Sequence, residues 1–260
     1  MPTLNDLCQS IESRFPLCYQ EQWDNSGIQV GRMGQEVSRV LCALEMSDAV
    51  LDEAIGLHCE AIVTHHPLLF HPVRSITDSS ATGRLLLKAI SNSIAIYSAH
   101  TSLDNAPDGI NRLLADKLGL RGTTILCPMP EHPEAGAGVI GELPGELTEG
   151  QLLELVGKRW GISNLISGTG RGGTVKTVAI CSGAGAFLAQ QAIDKGADAY
   201  ITADIKHHDY RDAENSIMLI DAGHYETEIF TKDILFDVIS QKNRNFAVHL
   251  SKTEMPPRHF

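Results

Sequence analysis

The feature that most constrains this chain is the alternation, along its whole length, of short apolar runs with segments whose apolar residues recur at helical spacing. Strands are expected at 39–46 (RVLCALEM), 60–64 (EAIVT), 94–98 (IAIYS), 124–127, 137–142, 175–181 (VKTVAIC), 198–202 (DAYIT), 216–221 (SIMLID) and 246–250. Helices are expected at 4–14, 48–58, 82–91, 108–118, 149–160, 186–195 and 226–241, the last long and amphipathic. Such alternation dictates an α/β fold with mostly crossover connections and parallel strands. Segments 128–136 (PMPEHPEAG) and 167–173 (SGTGRGG) are turn or linker material. SGTGRGG lacks the Lys-Ser/Thr ending of a phosphate loop and precedes a strand, so it is expected to be a hairpin turn.

The pattern also repeats. AIGLHCEAIVTHH (54–66) aligns with AIDKGADAYITAD (192–204) at an offset of 138, matching Ala54 with Ala192, Ile55 with Ile193, Ala61 with Ala199 and Thr64 with Thr202. Downstream, IAIYSAH (94–100) resembles IMLIDAG (217–223). The chain therefore reads as two similar α/β halves in a pseudo-two-fold relation. Open parallel sheets place ligands at the carboxyl ends of their strands, so the loops there are where a site is expected. The expected domains are 1–125 plus 216–260, carrying most of the candidate site, and 126–215.

Composition narrows the function. With 43% hydrophobic residues the 260-residue chain can bury a core. No apolar run reaches the roughly 18–20 residues that span a bilayer, so a membrane-spanning chain and a disordered one are both excluded. The net charge of −11 is the wrong sign for bulk nucleic-acid binding. It still admits a small phosphorylated ligand held through a metal. The six Cys (8, 18, 42, 59, 127 and 181) contain no CxxC pair and read as buried thiols in a reducing compartment. The start, MPTLNDLCQSIESRFP, has the look of a capped amphipathic helix and none of the features of a secretory signal. A cytoplasmic location is expected.

Eleven His are present, and several gather just past strand ends. Thr64-His65-His66-Pro67 closes one strand, His100-Thr101-Ser102-Leu103-Asp104 follows another, and Gly223-His224-Tyr225-Glu226-Thr227-Glu228 follows a third. Adjacent His point to opposite faces within a strand, but where the backbone turns at its end both imidazoles can converge. His224 and Glu228, four apart, share one helical face. Imidazole with carboxylate suits Zn, Mn, Fe, Co or Ni. Five ligands exceed one catalytic zinc and suit two ions roughly 3.5–4 Å apart. His58, His71, His132, His249 and His259 lack comparable companions, and His207-His208 reads as solvated helix surface. CSGAGAF (181–187) reads as a tight strand-to-helix turn that needs Gly for its geometry.

With those clusters in hand, the chain resembles the Ngg-interacting-factor-three-like family, whose bacterial members are labelled GTP cyclohydrolase type 2 homologues. WDNSGIQVG (23–31), VTHHPLLF (63–70), AHTSLDNAPDGIN (99–111), VAICSGAG (178–185) and DAGHYETE (221–228) carry the resemblance, in family order and across nearly the whole chain. The length is that of the short form without an inserted domain. The resemblance implies two divalent metal ions per chain, bound by His65, His66, Asp104, His224 and Glu228, in the cleft between the halves. Glu228 is the implied bridge, and His100 the implied catalytic residue, a proton carrier beside the metals. Asn25 and Gln29 would come from a loop facing that cleft. A ring-shaped homohexamer and a small-molecule substrate, a nucleotide or relative, are also implied. Two functions follow from different classes: a metal-dependent hydrolase, or a non-enzymatic metal-binding regulatory or scaffold protein.

Overall fold

A computed structural model describes residues 1–242 and 245–254, so His259 lies outside the described residues. In chain order it contains α1 (Leu4–Glu12), β1 (Gly27–Val30), β2 (Arg39–Ala43), α2 (Asp48–Gly56), β3 (Ala61–Thr64), α3 (Ala81–Ser91), β4 (Ala95–Ser98), α4 (His100–Asp104), α5 (Ile110–Leu118) and β5 (Arg121–Pro128). It continues with β6 (Gly136–Thr148), α6 (Glu149–Trp160), β7 (Ile166–Ser167), β8 (Thr174–Ile180), α7 (Ala189–Asp194), β9 (Ala199–Thr202), α8 (His207–Asp212), β10 (Met218–Asp221), α9 (His224–Glu228), α10 (Thr231–Lys242) and β11 (Ala247–Leu250). The chain is mixed α/β with two sheets, and it divides into two compact units, Met1–Leu103 with Phe230–Phe260, and Asp104–Ile229.

The first unit holds a five-stranded sheet of order β1-β4-β3-β2-β11. β11, β2, β3 and β4 are parallel, and β1 runs antiparallel along the β4 edge. β3 and β4 are buried at every position, as strands covered on both faces must be. Leu41, Ile62 and Ile96 of the sheet pack with Val50, Leu51 and Ala54 of α2 and with Leu85 and Ala89 of α3. Helix starts obey local rules. In α1 the Thr3 side chain accepts from the Asp6 amide and the Asp6 carboxylate accepts from the Thr3 amide, the expected N-terminal cap.

The second unit holds a six-stranded sheet of order β5-β6-β8-β9-β10-β7. Here β8, β9 and β10 are parallel while β7 runs antiparallel along the β10 edge. Its core joins Leu126, Ile140, Ala179, Tyr200 and Leu219 with Leu188 and Ala192. The topology thus repeats: β1-β4-β3-β2 in one unit matches β7-β10-β9-β8 in the other. The strands matched by the sequence repeat, Ala61–Thr64 and Ala199–Thr202, are the middle strands of those two sets.

Four details differ from the sequence reading. The units change over at 103/104 and 229/230, where the sequence reading places boundaries at 125/126 and 215/216. The reason is pairing: β10 is hydrogen-bonded to β9 and β7, and β5 to β6, so 104–125 and 216–229 travel with the second sheet. The expected helix 226–241 is two helices, α9 and α10, broken at the residue pair where the chain changes unit. SGTGRGG is not a hairpin, because β7 lies at the far edge of the sheet and does not pair with β8. Finally, Cys8, Cys42, Cys59 and Cys181 are buried, but Cys18 is exposed and Cys127 half-buried; all six are free thiols. No described helix is long and apolar enough to cross a membrane.

Candidate metal centre

In the first unit the two adjacent His are brought together by a turn at the end of β3. The His65 and His66 amides both donate to the Leu44 carbonyl, at 3.1 and 2.9 Å, so the strand stops alternating there. Thr64 Oγ1 braces the turn through the His66 carbonyl and Ser98 Oγ, both at 2.8 Å. His100, the first residue of α4, enters from the end of the neighbouring strand. Ring centroids lie 5.0 Å apart for His65 and His66, 5.3 Å for His65 and His100, and 5.7 Å for His66 and His100. One ring nitrogen from each of the three lies within 4.8 Å of the others. His65 is fully buried.

Asp24 fixes the third imidazole. Its Oδ1 is 2.8 Å from His100 Nδ1, while Oδ2 accepts from the Thr101 amide at 3.0 Å, from Thr101 Oγ1 and from Ser26 Oγ at 2.8 Å. Burial pushes the Asp24 carboxyl up, but the hydrogen bonds from His100, Thr101 and Ser26 outweigh it and hold the group below the usual carboxylate range. An ionised carboxylate can only accept, so Nδ1 of His100 carries the hydrogen, and in the neutral ring Nε2 is left as the acceptor. Asn25 and Gln29 have a structural task in the first unit. They bond to each other and to Leu69, joining β1 and the loop before it to the loop after β3.

The second unit carries an acidic counterpart. A carboxylate oxygen of Asp104 lies within 4.8 Å of one from Glu228, and Glu228 is 3% exposed. His224 Nε2 is 3.0 Å from Glu228 Oε2, and His224 Nδ1 is 2.7 Å from Asp204 Oδ2. The Glu228 contact raises the His224 imidazole to about 9, against a smaller desolvation effect, with Asp204 adding to the rise. Gly183 makes room for this carboxylate, since a Cβ there would stand 2.1 Å from Glu228 Oε1. Its φ of +59° is also one that side chains rarely adopt. The CSGAGAF turn needs its Gly for geometry, as expected. Asp221, at the end of β10, accepts from the Ile205 amide and from the Gly223 amide, both at 3.0 Å, and so fixes the loops bearing Asp204 and His224.

The donor chemistry fits divalent metal. In the second unit Glu228 stands within 4.8 Å of an Asp104 oxygen and 3.0 Å from His224 Nε2, and in the first unit three imidazole nitrogens converge, oxygen and nitrogen donors of the kind that borderline divalent ions take. His207 and His208 are exposed on α8, as expected. The residues missed by sequence reasoning are Asp24 and Asp204. Asp24 stands within WDNSG (23–27), next to Asn25. Asp204 occupies, at the offset of 138, the place of His66.

Fold and donor set together define an α/β protein with His/Glu groups able to hold metal. A family model described as Duf34/NIF3 (NGG1p interacting factor 3) matches residues 2–257, and the chain belongs to that family. It is 34% identical to a Streptomyces coelicolor protein named GTP cyclohydrolase 1 type 2 homolog, over 99% of this chain and 94% of that one. A Clostridium acetobutylicum protein of the same name is 36% identical over 86% of this chain and 85% of its own. Among solved structures, a Bacillus cereus protein related to NIF3 superimposes with a TM-score of 0.91 at 26% identity, covering 100% of this chain and 99% of that one.

Proposed function

We propose that the chain is a metal-dependent hydrolase of a nucleotide or related small molecule, with two divalent ions held by His65, His66, Asp104, His224 and Glu228. The observation that carries it is the Asp104–Glu228 carboxylate pair, within 4.8 Å of each other, with His224 at 3.0 Å from Glu228. Divalent ions of this class, when bound, lower the pKa of water toward 7 and polarise the bond under attack. His100 supplies the proton traffic. With Nδ1–H committed to Asp24, its Nε2 accepts a proton during attack and returns it to the leaving group. Glu228 and Asp104 neutralise cationic charge, and Asp204 holds His224 with Nε2 turned toward Glu228. The nucleotide class is supported by the name that the relatives carry. A homohexamer in the cytoplasm belongs to the same reading through the family resemblance.

The test is elemental analysis followed by turnover. Protein reconstituted with Zn, Mn, Fe, Co or Ni is expected to hold about two ions per chain. It is then screened against nucleotides, phosphoesters and cyclic amides. Glu228→Ala is expected to abolish turnover, His100→Ala to lower it by roughly 10²–10⁴-fold, and His207→Ala to leave it unchanged. Full metal occupancy with no turnover on any of these classes would establish the non-enzymatic alternative.

A further inference from the structure

Two large aromatic side chains beside His100 are not explained by packing. Trp23 is 60% exposed and Phe70 is 41% exposed, although burial of either would stabilise the fold. Their ring centroids lie 5.9 Å apart with planes inclined at 52°. Both also meet the His100 ring edge to face, Trp23 at 5.9 Å and 75° and Phe70 at 6.0 Å and 78°. The two come from separate loops, one before β1 and one after β3, so no local sequence rule places them together.

They are held together in advance. Asn25 Nδ2 donates to the Leu69 carbonyl at 2.7 Å, and the Leu69 amide donates to Gln29 Oε1 at 3.2 Å. Gln29 Nε2 in turn donates to the Asn25 carbonyl at 2.7 Å. The residue before Phe70 is therefore fixed through its carbonyl to the loop that bears Trp23 and through its amide to β1, which follows that loop. Exposed aromatic rings braced by hydrogen bonds are ready to receive a ligand without ordering costs, and rings of this kind stack on flat heteroaromatic ligands.

The geometry points to a stacking clamp in which Trp23 and Phe70 receive a planar heteroaromatic ring of the substrate, a nucleobase in the case of a nucleotide, next to His100. It deepens and rests on the hydrolase reading, because the occupant is then the molecule that His100 serves. Asn25 and Gln29 are positioning residues for the clamp. Stacking reads a ring's face, whose π-system every base offers, and not a hydrogen-bonding edge. Both purines are therefore accepted.

Calorimetric titration of metal-replete protein with guanosine 5′-monophosphate, adenosine 5′-monophosphate and ribose 5-phosphate tests it. Tryptophan fluorescence is followed in parallel. Trp160 is buried and bonded to the Leu114 carbonyl, so quenching reports Trp23. Both nucleotides are expected to quench and to bind more tightly than ribose 5-phosphate. Trp23→Ala and Phe70→Ala should each weaken nucleotide binding by roughly 5- to 150-fold, the loss of one stack, with Trp23→Phe retaining most of it. Ribose 5-phosphate binding should not change in any variant. Equal affinity for all three probes, no nucleotide binding, or nucleotide affinity indifferent to Trp23→Ala overturns the clamp. So does a lower molar mass of Trp23→Ala in light scattering with unchanged nucleotide affinity, which would make the pair a contact between copies. Metal content on the same samples separates the two readings. Its absence removes the hydrolase, whereas base selectivity without turnover leaves the clamp standing.

Discussion

Asp24 and Asp204 perform one task from two backbones. Each receives a histidine Nδ1, of His100 and His224 respectively, at 2.8 and 2.7 Å. Asp204 does so from φ +55°, a left-handed conformation that Asp tolerates better than most side chains. Neither was legible in the sequence. An Asp that orients a ligand through a loop has no periodicity, whereas a His pair past a strand end announces itself. Asp24→Asn makes the role measurable, because an amide can donate to Nδ1 and thereby reverse the tautomer. Nitrogen-15 NMR of His100 is expected to shift from an Nδ1–H form to a mixture or to Nε2–H. The variant should lose about 1–3 kcal/mol at neutral pH, the cost of hydrogen bonds to a buried charge. Since the folded Asp24 carboxyl is held below its unfolded value near 3.9, its contribution is present above about pH 4 and is lost as pH falls through the folded value. The stability gap between native and Asp24→Asn should therefore narrow below about pH 4. A gap independent of pH would show that Asp24 acts by shape alone.

At the scale of elements, what was legible is what has period. The parallel strands β2, β3, β4, β8, β9, β10 and β11 all fall on expected runs, because strands of a largely covered sheet carry mostly apolar residues. The edges were not. β1 is four residues inside a polar motif and β7 is two, too short for alternation to register. The break between α9 and α10 was hidden for the opposite reason. Glu228, Thr231, Leu235, Val238 and Ile239 are all buried, so one stripe at helical spacing runs straight across the break. The β8–α7 turn offers a sharper test. Gly183→Ala places a methyl against the Glu228 carboxylate and forces a strained φ, whereas Gly172→Ala, at φ +76°, meets open space. Denaturant unfolding is expected to show a loss of about 1–2 kcal/mol for Gly172→Ala, from backbone alone, and a larger one for Gly183→Ala. Only Gly183→Ala should lower metal content. Equal losses with metal retained would mean that the Glu228 carboxylate moves aside freely.

For the whole molecule, the repeat was visible and its boundary was not. β4 and β10 resemble each other in sequence, yet only pairing tells which sheet each one joins. The net charge of −11 includes Asp104 and Glu228, the acidic pair within 4.8 Å, so cation binding and folding should be linked. His224 sets the sign of that linkage with pH. In the metal-free chain its folded value of about 9 stands above the unfolded value of about 6.5. Its ion pairs therefore contribute fully below about pH 6.5, and that contribution is lost as pH rises through about 9. A metal requires the neutral imidazole, so it competes with the same proton and wins more easily as pH rises. Calorimetric melting of chelated and metal-replete protein between pH 6.5 and 9 should thus diverge, the chelated form losing stability while the replete form holds it. At free metal near 100 times its dissociation constant the stabilisation is about 2.7 kcal/mol, a rise in Tm of roughly 5–10 °C. His224→Gln should flatten the pH dependence of that difference. A difference that stays constant or shrinks toward pH 9 in the native chain would remove His224 from the ligand set and, with it, the partner that ties Glu228 to the metals.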